Sequence, residues 1–237
     1  MQESAGGGAL GPAGRLAARV CCSCSAPGRV RRHRGLGGQL TVGNKAGLCS
    51  NLAVAERGGQ SGDMRQLLLL RHAKSSWDDP GLPDFARPLN PRGRAAASAM
   101  RTAMAGLGLA PDQVLVSTSK RTLETLDALE PWDETPLIEP MDSLYLAPAA
   151  GLLRALQDVQ PTVRSVLVIA HNPGLHELAV LLLGNPGPGS ADAHRLRESY
   201  PSGALAEFLV TAPWANLAEG GARLVRFLCP RDLPAGG

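Results

Sequence analysis

A run of four leucines, Leu67-Leu68-Leu69-Leu70, breaks without transition into Arg71-His72-Ala73. An unbroken apolar run of this length suits a strand covered on both faces, as in a parallel sheet, better than a strand with one wet face. Such a strand needs helices on both sides of its sheet. Ligands of open α/β sheets bind beyond the carboxyl ends of the strands, which puts Arg71 and His72 where an active site would lie. Taken alone, the pair is equally consistent with a surface position where a strand meets a loop.

The rest of the chain extends the pattern. Strands are expected at 66–70, 114–117, 137–141, 165–170, 204–210 and 223–228. Ser165–Ala170 (Ser-Val-Leu-Val-Ile-Ala) is the second fully apolar run, and it ends in His171-Asn172-Pro173-Gly174. Asn90-Pro91 reads as an N-cap and first helical residue, opening a helix with the face Ala96, Met100, Ala103, Met104 and Leu107. A second helix follows Arg121 and reaches Leu129. A third carries Leu152, Leu153, Leu156 and Val159. The fourth shows Leu175, Leu178, Ala179 and Leu182, with Gly184 as its stop. The stretches 74–89 and 185–203 read as loops. Strands alternating with helices define an α/β fold, a three-layer αβα sandwich with a mostly parallel central sheet.

Charge and cysteine divide the chain at about residue 63. Residues 1–63 hold 14 of the 28 glycines, eight Arg and Lys against three Asp and Glu, and no sustained periodicity. Such a segment buries too little apolar area to offset its ordering entropy, so a disordered extension is expected there. Its change of character so close to Met64 suggests that translation begins at Met64 and that the extension is a start-site artefact. Cys21, Cys22, Cys24 and His33 lack the paired spacing of a zinc site. Residues 64–237 hold 16 basic and 18 acidic residues, which argues against a nucleic-acid-binding domain. They contain one cysteine, Cys229, which fits a reducing compartment and a cytoplasmic location. No apolar run approaches the roughly 20 residues of a membrane span.

Three strand ends carry polar side chains: Arg71 and His72, Arg121, and His171. If these strands are parallel neighbours, the four side chains converge on one pocket. Two arginines, two histidines and a helix N-terminus seek an anion, and a phosphoryl group fits best because guanidinium forks match its oxygens in pairs. A histidine nucleophile must be neutral, and neighbouring cations disfavour the imidazolium. His72 is therefore suited to attack phosphorus, with Arg71, Arg121 and His171 holding the spreading charge. No metal or other cofactor is expected, since the chemistry needs none and no carboxylate cluster is present to hold one.

The motifs resemble those of the histidine phosphatase superfamily, whose fold is phosphoglycerate mutase-like. Leu70-Arg71-His72-Ala73 is similar to its Arg-His-Gly signature, with Ala in place of Gly. The run from Ser117 through Arg121 to Glu124-Thr125 resembles its second motif, and His171-Asn172-Pro173-Gly174 its late histidine. Lys74-Ser75-Ser76-Trp77 and Arg87-Pro88-Leu89 look like SixA-type phosphohistidine phosphatases. The resemblance implies a phosphoenzyme at His72, phosphoryl binding by Arg71, Arg121 and His171, and Arg87 lining the pocket from the loop. It implies a phosphorylated partner, either a protein phosphohistidine or a small molecule, with no nucleic acid and no membrane. An ordinary phosphomonoesterase or a non-catalytic phosphate-binding protein are the alternatives.

Larger members of that superfamily carry an acid that protonates the leaving group, whereas Asn172 follows His171 here. Glu139 or Asp142, near the end of the third expected strand, could serve, or the enzyme could work without one. Trp77 reads either as a substrate contact or as an aromatic lid. Ser202-Gly203 are weaker candidates for lining the site. His176 and His194 read as structural or exposed, and Cys229 as a buried small apolar residue.

Overall fold

A computed structural model of the chain describes residues 64–132, 134–184 and 190–233. The extension expected over residues 1–63 lies outside them. Six strands form one sheet in the order β3-β2-β4-β1-β5-β6. They are β1 (Arg65–Arg71), β2 (Gln113–Ser117), β3 (Leu137–Met141), β4 (Ser165–Ala170), β5 (Leu205–Val210) and β6 (Ala222–Leu228). β3, β2, β4 and β1 are mutually parallel, and β5 runs against both of its neighbours.

The leucine run sets the two faces. Leu68 and Leu70 point into a core shared with Met100 and Met104 of α1 (Pro91–Gly106) and Leu126 of α2 (Lys120–Asp127). Leu67 and Leu69 point the other way, into a core built with α3 (Ala149–Gln157), α4 (Gly174–Leu183) and α5 (Ala191–Glu198). All four are at most 1% exposed, and burying each contributes about 2 kcal/mol. β3 is an edge strand, which is why Pro140 is tolerated there and why its pattern is largely exposed. Among the described residues, no helix is long and apolar enough to cross a membrane.

Two expectations change. The loop read over 185–203 contains α5, capped by the Ser190 hydroxyl, which accepts from the Ala193 N–H at 3.2 Å. Only Ala193 and Leu196 of α5 are buried, so its apolar stripe is too thin to register as a helical period. On α1 the buried face is Gly93, Ala97, Met100 and Met104, while Leu107 is exposed. Ala96 and Ala103 sit one position off the face and are half-buried. The helix starts as read: the Asn90 side chain accepts from the Gly93 N–H at 2.7 Å, with Pro91 in the first turn.

Gly93 explains the shift of that face. A Cβ there would lie 2.1 Å from the Lys74 carbonyl oxygen, so only glycine lets α1 dock against the loop that follows His72. The Asn90 N–H donates to the same carbonyl at 3.0 Å. At Gly106, in the last turn of the same helix, a Cβ would meet nothing within 4 Å. Gly93→Ala should therefore cost about 2 kcal/mol or more in urea denaturation despite alanine's better helix propensity. Gly106→Ala should be neutral or stabilising by up to about 1 kcal/mol. Equal responses at the two positions would refute the docking role of Gly93.

Candidate active site

The expected convergence is realised by strand order. β4 lies between β1 and β2, with Arg71 opposite Ala170 and Val116 opposite Ile169. His72, His171 and Ser117 therefore sit at one level at the carboxyl edge of the sheet. A cleft of about 460 Å³ opens there, lined by Arg71, His72, Arg87, Arg121 and His171, the five residues singled out in the sequence. Lys74, Ser75, Trp77, Asp84, Leu146, Asn172 and Ser202 complete its wall.

His72 is 8% exposed, and its Nδ1 lies 2.7 Å from the Ala73 carbonyl oxygen. A carbonyl only accepts, so Nδ1 carries the proton and Nε2 of the neutral ring keeps its lone pair. The Ala73 N–H donates to the Thr125 hydroxyl at 3.0 Å, and that hydroxyl donates to the Arg121 carbonyl at 2.6 Å. The loop after β1 is thereby tied to α2. The Leu89 N–H donates to Glu124 Oε2 at 2.6 Å, which ties the Arg87 segment to the same helix. Glu124 and Thr125 thus hold two walls of the cleft in place.

Arg121, in the first turn of α2, is 4% exposed. It donates to the Asp84 carbonyl oxygen at 2.6 Å and to Asp84 Oδ2 at 3.0 Å, and approaches His171 Nδ1 at 3.3 Å. Since Arg121 only donates, His171 Nδ1 accepts and its Nε2–H donates to Ser117 Oγ at 2.8 Å. Arg71 donates to the Tyr200 carbonyl at 2.8 Å. Arg87 spans Ser76, Asp84 and Ser75 at 2.8, 3.0 and 3.0 Å. The imidazoles of His72 and His171 are 5.1 Å apart between centroids, about the spacing of the strands that carry them.

Burial, reinforced by Arg121 and Arg71, lowers the His72 pKa to about 4 against the pull of the Ala73 carbonyl and Asp84. Burial, then His72 and Arg121, lowers that of His171 to about 3. Desolvation therefore does more than the neighbouring arginines to keep both rings neutral.

Asp84 and Tyr145 were not singled out from sequence. Asp84 is the one carboxylate lining the cleft among the described residues. Burial works to raise its pKa, but the Tyr145 hydroxyl (2.7 Å), Arg121 and Arg87 outweigh it and hold the carboxyl below its usual range. It sits three residues before Arg87 in a short 3₁₀ turn (Asp84–Ala86), and that spacing was the one available signal. Glu139 and Asp142 do not line the cleft: Glu139 accepts from Gln113 at 2.8 Å and Asp142 from the Thr118 hydroxyl. His176 is spent on the Leu196 carbonyl at 2.7 Å, His194 is an exposed partner of Glu198, and Cys229 is buried. Among the described residues no cluster of three or more His, Cys, Asp or Glu side chains could hold a metal ion.

Arg71, Arg87, Arg121 and Lys74 against Asp84 leave a formal excess of three positive charges around two neutral imidazoles. A site of this kind binds a phosphoryl dianion. The family model that matches residues 67–141 is the histidine phosphatase superfamily, branch 1. An uncharacterized protein of Mycobacterium tuberculosis H37Rv is 36% identical over 166 residues, 68% of this chain and 100% of the other. A Nakamurella multipartitia structure assigned as phosphohistidine phosphatase SixA is 30% identical with a TM-score of 0.63, covering 70% of this chain and 96% of that one. An Agrobacterium tumefaciens structure assigned likewise is 29% identical with a TM-score of 0.59, covering 70% and 98%. The chain belongs to the histidine phosphatase superfamily and is of the SixA type. It is a phosphatase.

The low histidine pKa values carry a stability cost with a definite sign. Between pH 6.5 and about 4, the unfolded chain binds a proton at His72 that the folded chain refuses, so stability falls as pH drops through that window. The same holds for His171 down to about pH 3. From pH 7 to pH 5 each ring should remove roughly 2 kcal/mol. Urea denaturation of the wild type and of His72→Ala at both pH values measures this. A drop undiminished in the variant would show that His72 is not held neutral by the fold.

Proposed function

We propose that the enzyme hydrolyses protein phosphohistidine through a phosphoenzyme intermediate on His72. The observation that carries this reading is the Nδ1–H···O bond of 2.7 Å to Ala73, which leaves the Nε2 lone pair free among arginines. Nε2 attacks phosphorus as the bond from phosphorus to the leaving nitrogen breaks. Arg71, Arg87 and Arg121 neutralise the three equatorial oxygens. A bound dianion also raises the pKa of His171, so its Nδ1 gains a proton and turns from acceptor of Arg121 to donor to the phosphoryl group. Water then attacks the phosphohistidine in line, releasing phosphate and returning the lone pair to His72.

The leaving group supports the choice of substrate. Asp84 is held ionised and paired with two arginines, so it orients them and has no proton to give near neutral pH. Glu139 and Asp142 are engaged outside the cleft. A phosphohistidine ring protonated at its distal nitrogen departs as neutral imidazole without an enzymic acid. An alkoxide has no such route.

Incubation with phosphorylated substrate followed by rapid quench should trap acid-labile, base-stable phosphate on the protein. His72→Ala should abolish that label and lower turnover by about 10³-fold or more. Turnover should be fast on a phosphohistidine protein and on phosphoramidate, and slow on alkyl phosphomonoesters. An alkyl ester turned over as fast as phosphohistidine would remove the proposed substrate class. Tight phosphate binding with no label and no turnover would leave a binding protein.

A further inference from the structure

The chain holds only eight Trp, Tyr and Phe residues. Three of them lie outside the core clusters and close to the cleft: Trp77 lines it, Phe85 follows the lining Asp84, and Tyr145 contacts the lining Asp84 and His171. Trp77 is 77% exposed and Phe85 41%, so neither repays its ordering by burial in this state. Arg87 stacks on the Trp77 ring with its guanidinium carbon 3.2 Å from the centroid. Phe85 meets the Tyr145 ring edge-on at 4.9 Å, and Tyr145 meets His171 edge-on at 5.4 Å. A line of rings thus leads from the rim to the two histidines.

Leu146 lines the same cleft. Among the described residues it is the one non-glycine residue with positive φ, +49°, a conformation that side-chain-bearing residues avoid. Its side chain is half exposed and lines the cleft. Leu144 and Ala147 beside it are buried, and Gly174 packs so closely on the Ala147 carbonyl that a Cβ there would lie 1.9 Å away. The backbone is therefore held rigid while an apolar side chain is kept in water over a phosphoryl site. The core gains little from that arrangement, whereas a substrate contact would use it.

We propose that Trp77, Phe85 and Leu146 form an apolar collar that selects for a flat unsaturated ring bonded directly to the phosphoryl group. The collar is a specificity determinant, and it deepens the phosphatase reading, on which it rests for its use in turnover. With phosphorus at His72, the collar would meet the ring substituent with Trp77 and Leu146, which line the same cleft. A polyhydroxyl or carboxylate carrier would leave its polar groups unpaired there.

Calorimetric titration with unreactive phosphonates tests the collar apart from catalysis. Phenylphosphonate should bind roughly tenfold tighter than methylphosphonate. That ratio should fall towards one in Trp77→Ala and in Leu146→Gly, where glycine adopts the φ of +49° freely and the fold is kept. Taking the ratio cancels any loss of phosphoryl binding through Arg87. Phosphonoacetate binding more tightly than phenylphosphonate, or a ratio unmoved in both variants, would overturn the collar. In turnover, 1-phosphoimidazole and a phosphohistidine-bearing protein should both lose more than phosphoramidate in the variants. The larger loss of the two marks a free ring or a protein side chain as the source, and equal losses across all three substrates overturn the collar. If no N–P substrate is turned over by the wild type, the phosphatase mechanism fails while the phosphonate ratio still decides the collar.

Discussion

The pairing of β4 between β1 and β2 is the contact on which the site depends. β1 and β4 lie about a hundred residues apart in the chain, yet they pair in register from Gln66 opposite Ser165 to Arg71 opposite Ala170. Every residue of β4 is buried, so a slip of its register would displace a fully packed strand on both faces. This packing, and not any direct attraction between the imidazoles, sets His72 and His171 5.1 Å apart.

Loops supply the remainder of the site, and each is fastened by a specific device. Glu124 and Thr125, one turn after Arg121, reach back to Leu89 and Ala73. Gly93 admits the backbone of Lys74, and Gly174 that of Ala147. α2 therefore works as a bracket: its first turn presents Arg121, and its second fixes the segments that present His72 and Arg87. Positioning charge in advance in this way reduces the reorganisation needed when a phosphoryl group arrives.

What could be read from the residues alone follows from how locally each feature is determined. Strands buried on both faces leave unbroken apolar runs, so β1, β2 and β4 are visible as sequence, and the polar residues at their ends mark the cleft. α5 contributes only Ala193 and Leu196 to the core, and its charged remainder hides it. Arg87 is visible through resemblance but not through periodicity, because it lies in a loop. Asp84, Tyr145 and Leu146 acquire their places from the folding of two loops over the sheet edge, for which a sequence offers no period. The Glu-Thr pair of the second motif is easily seen, while its fastening role requires the positions of Leu89 and Ala73.

Desolvation and charge act in the same direction at the histidines and in opposite directions at Asp84. At His72 and His171 burial and the arginines both favour the neutral ring, so both imidazoles stay uncharged over the whole neutral range. At Asp84 burial favours the acid, but Tyr145, Arg121 and Arg87 prevail and the carboxylate form persists. The cleft thereby sets two neutral imidazoles beside one ionised carboxylate, the one carboxylate that lines it among the described residues. In the proposed mechanism such a site leaves the reaction to the leaving group's own ability to depart. A ring nitrogen departs readily, and the proposed collar would favour the carriers that need no enzymic acid.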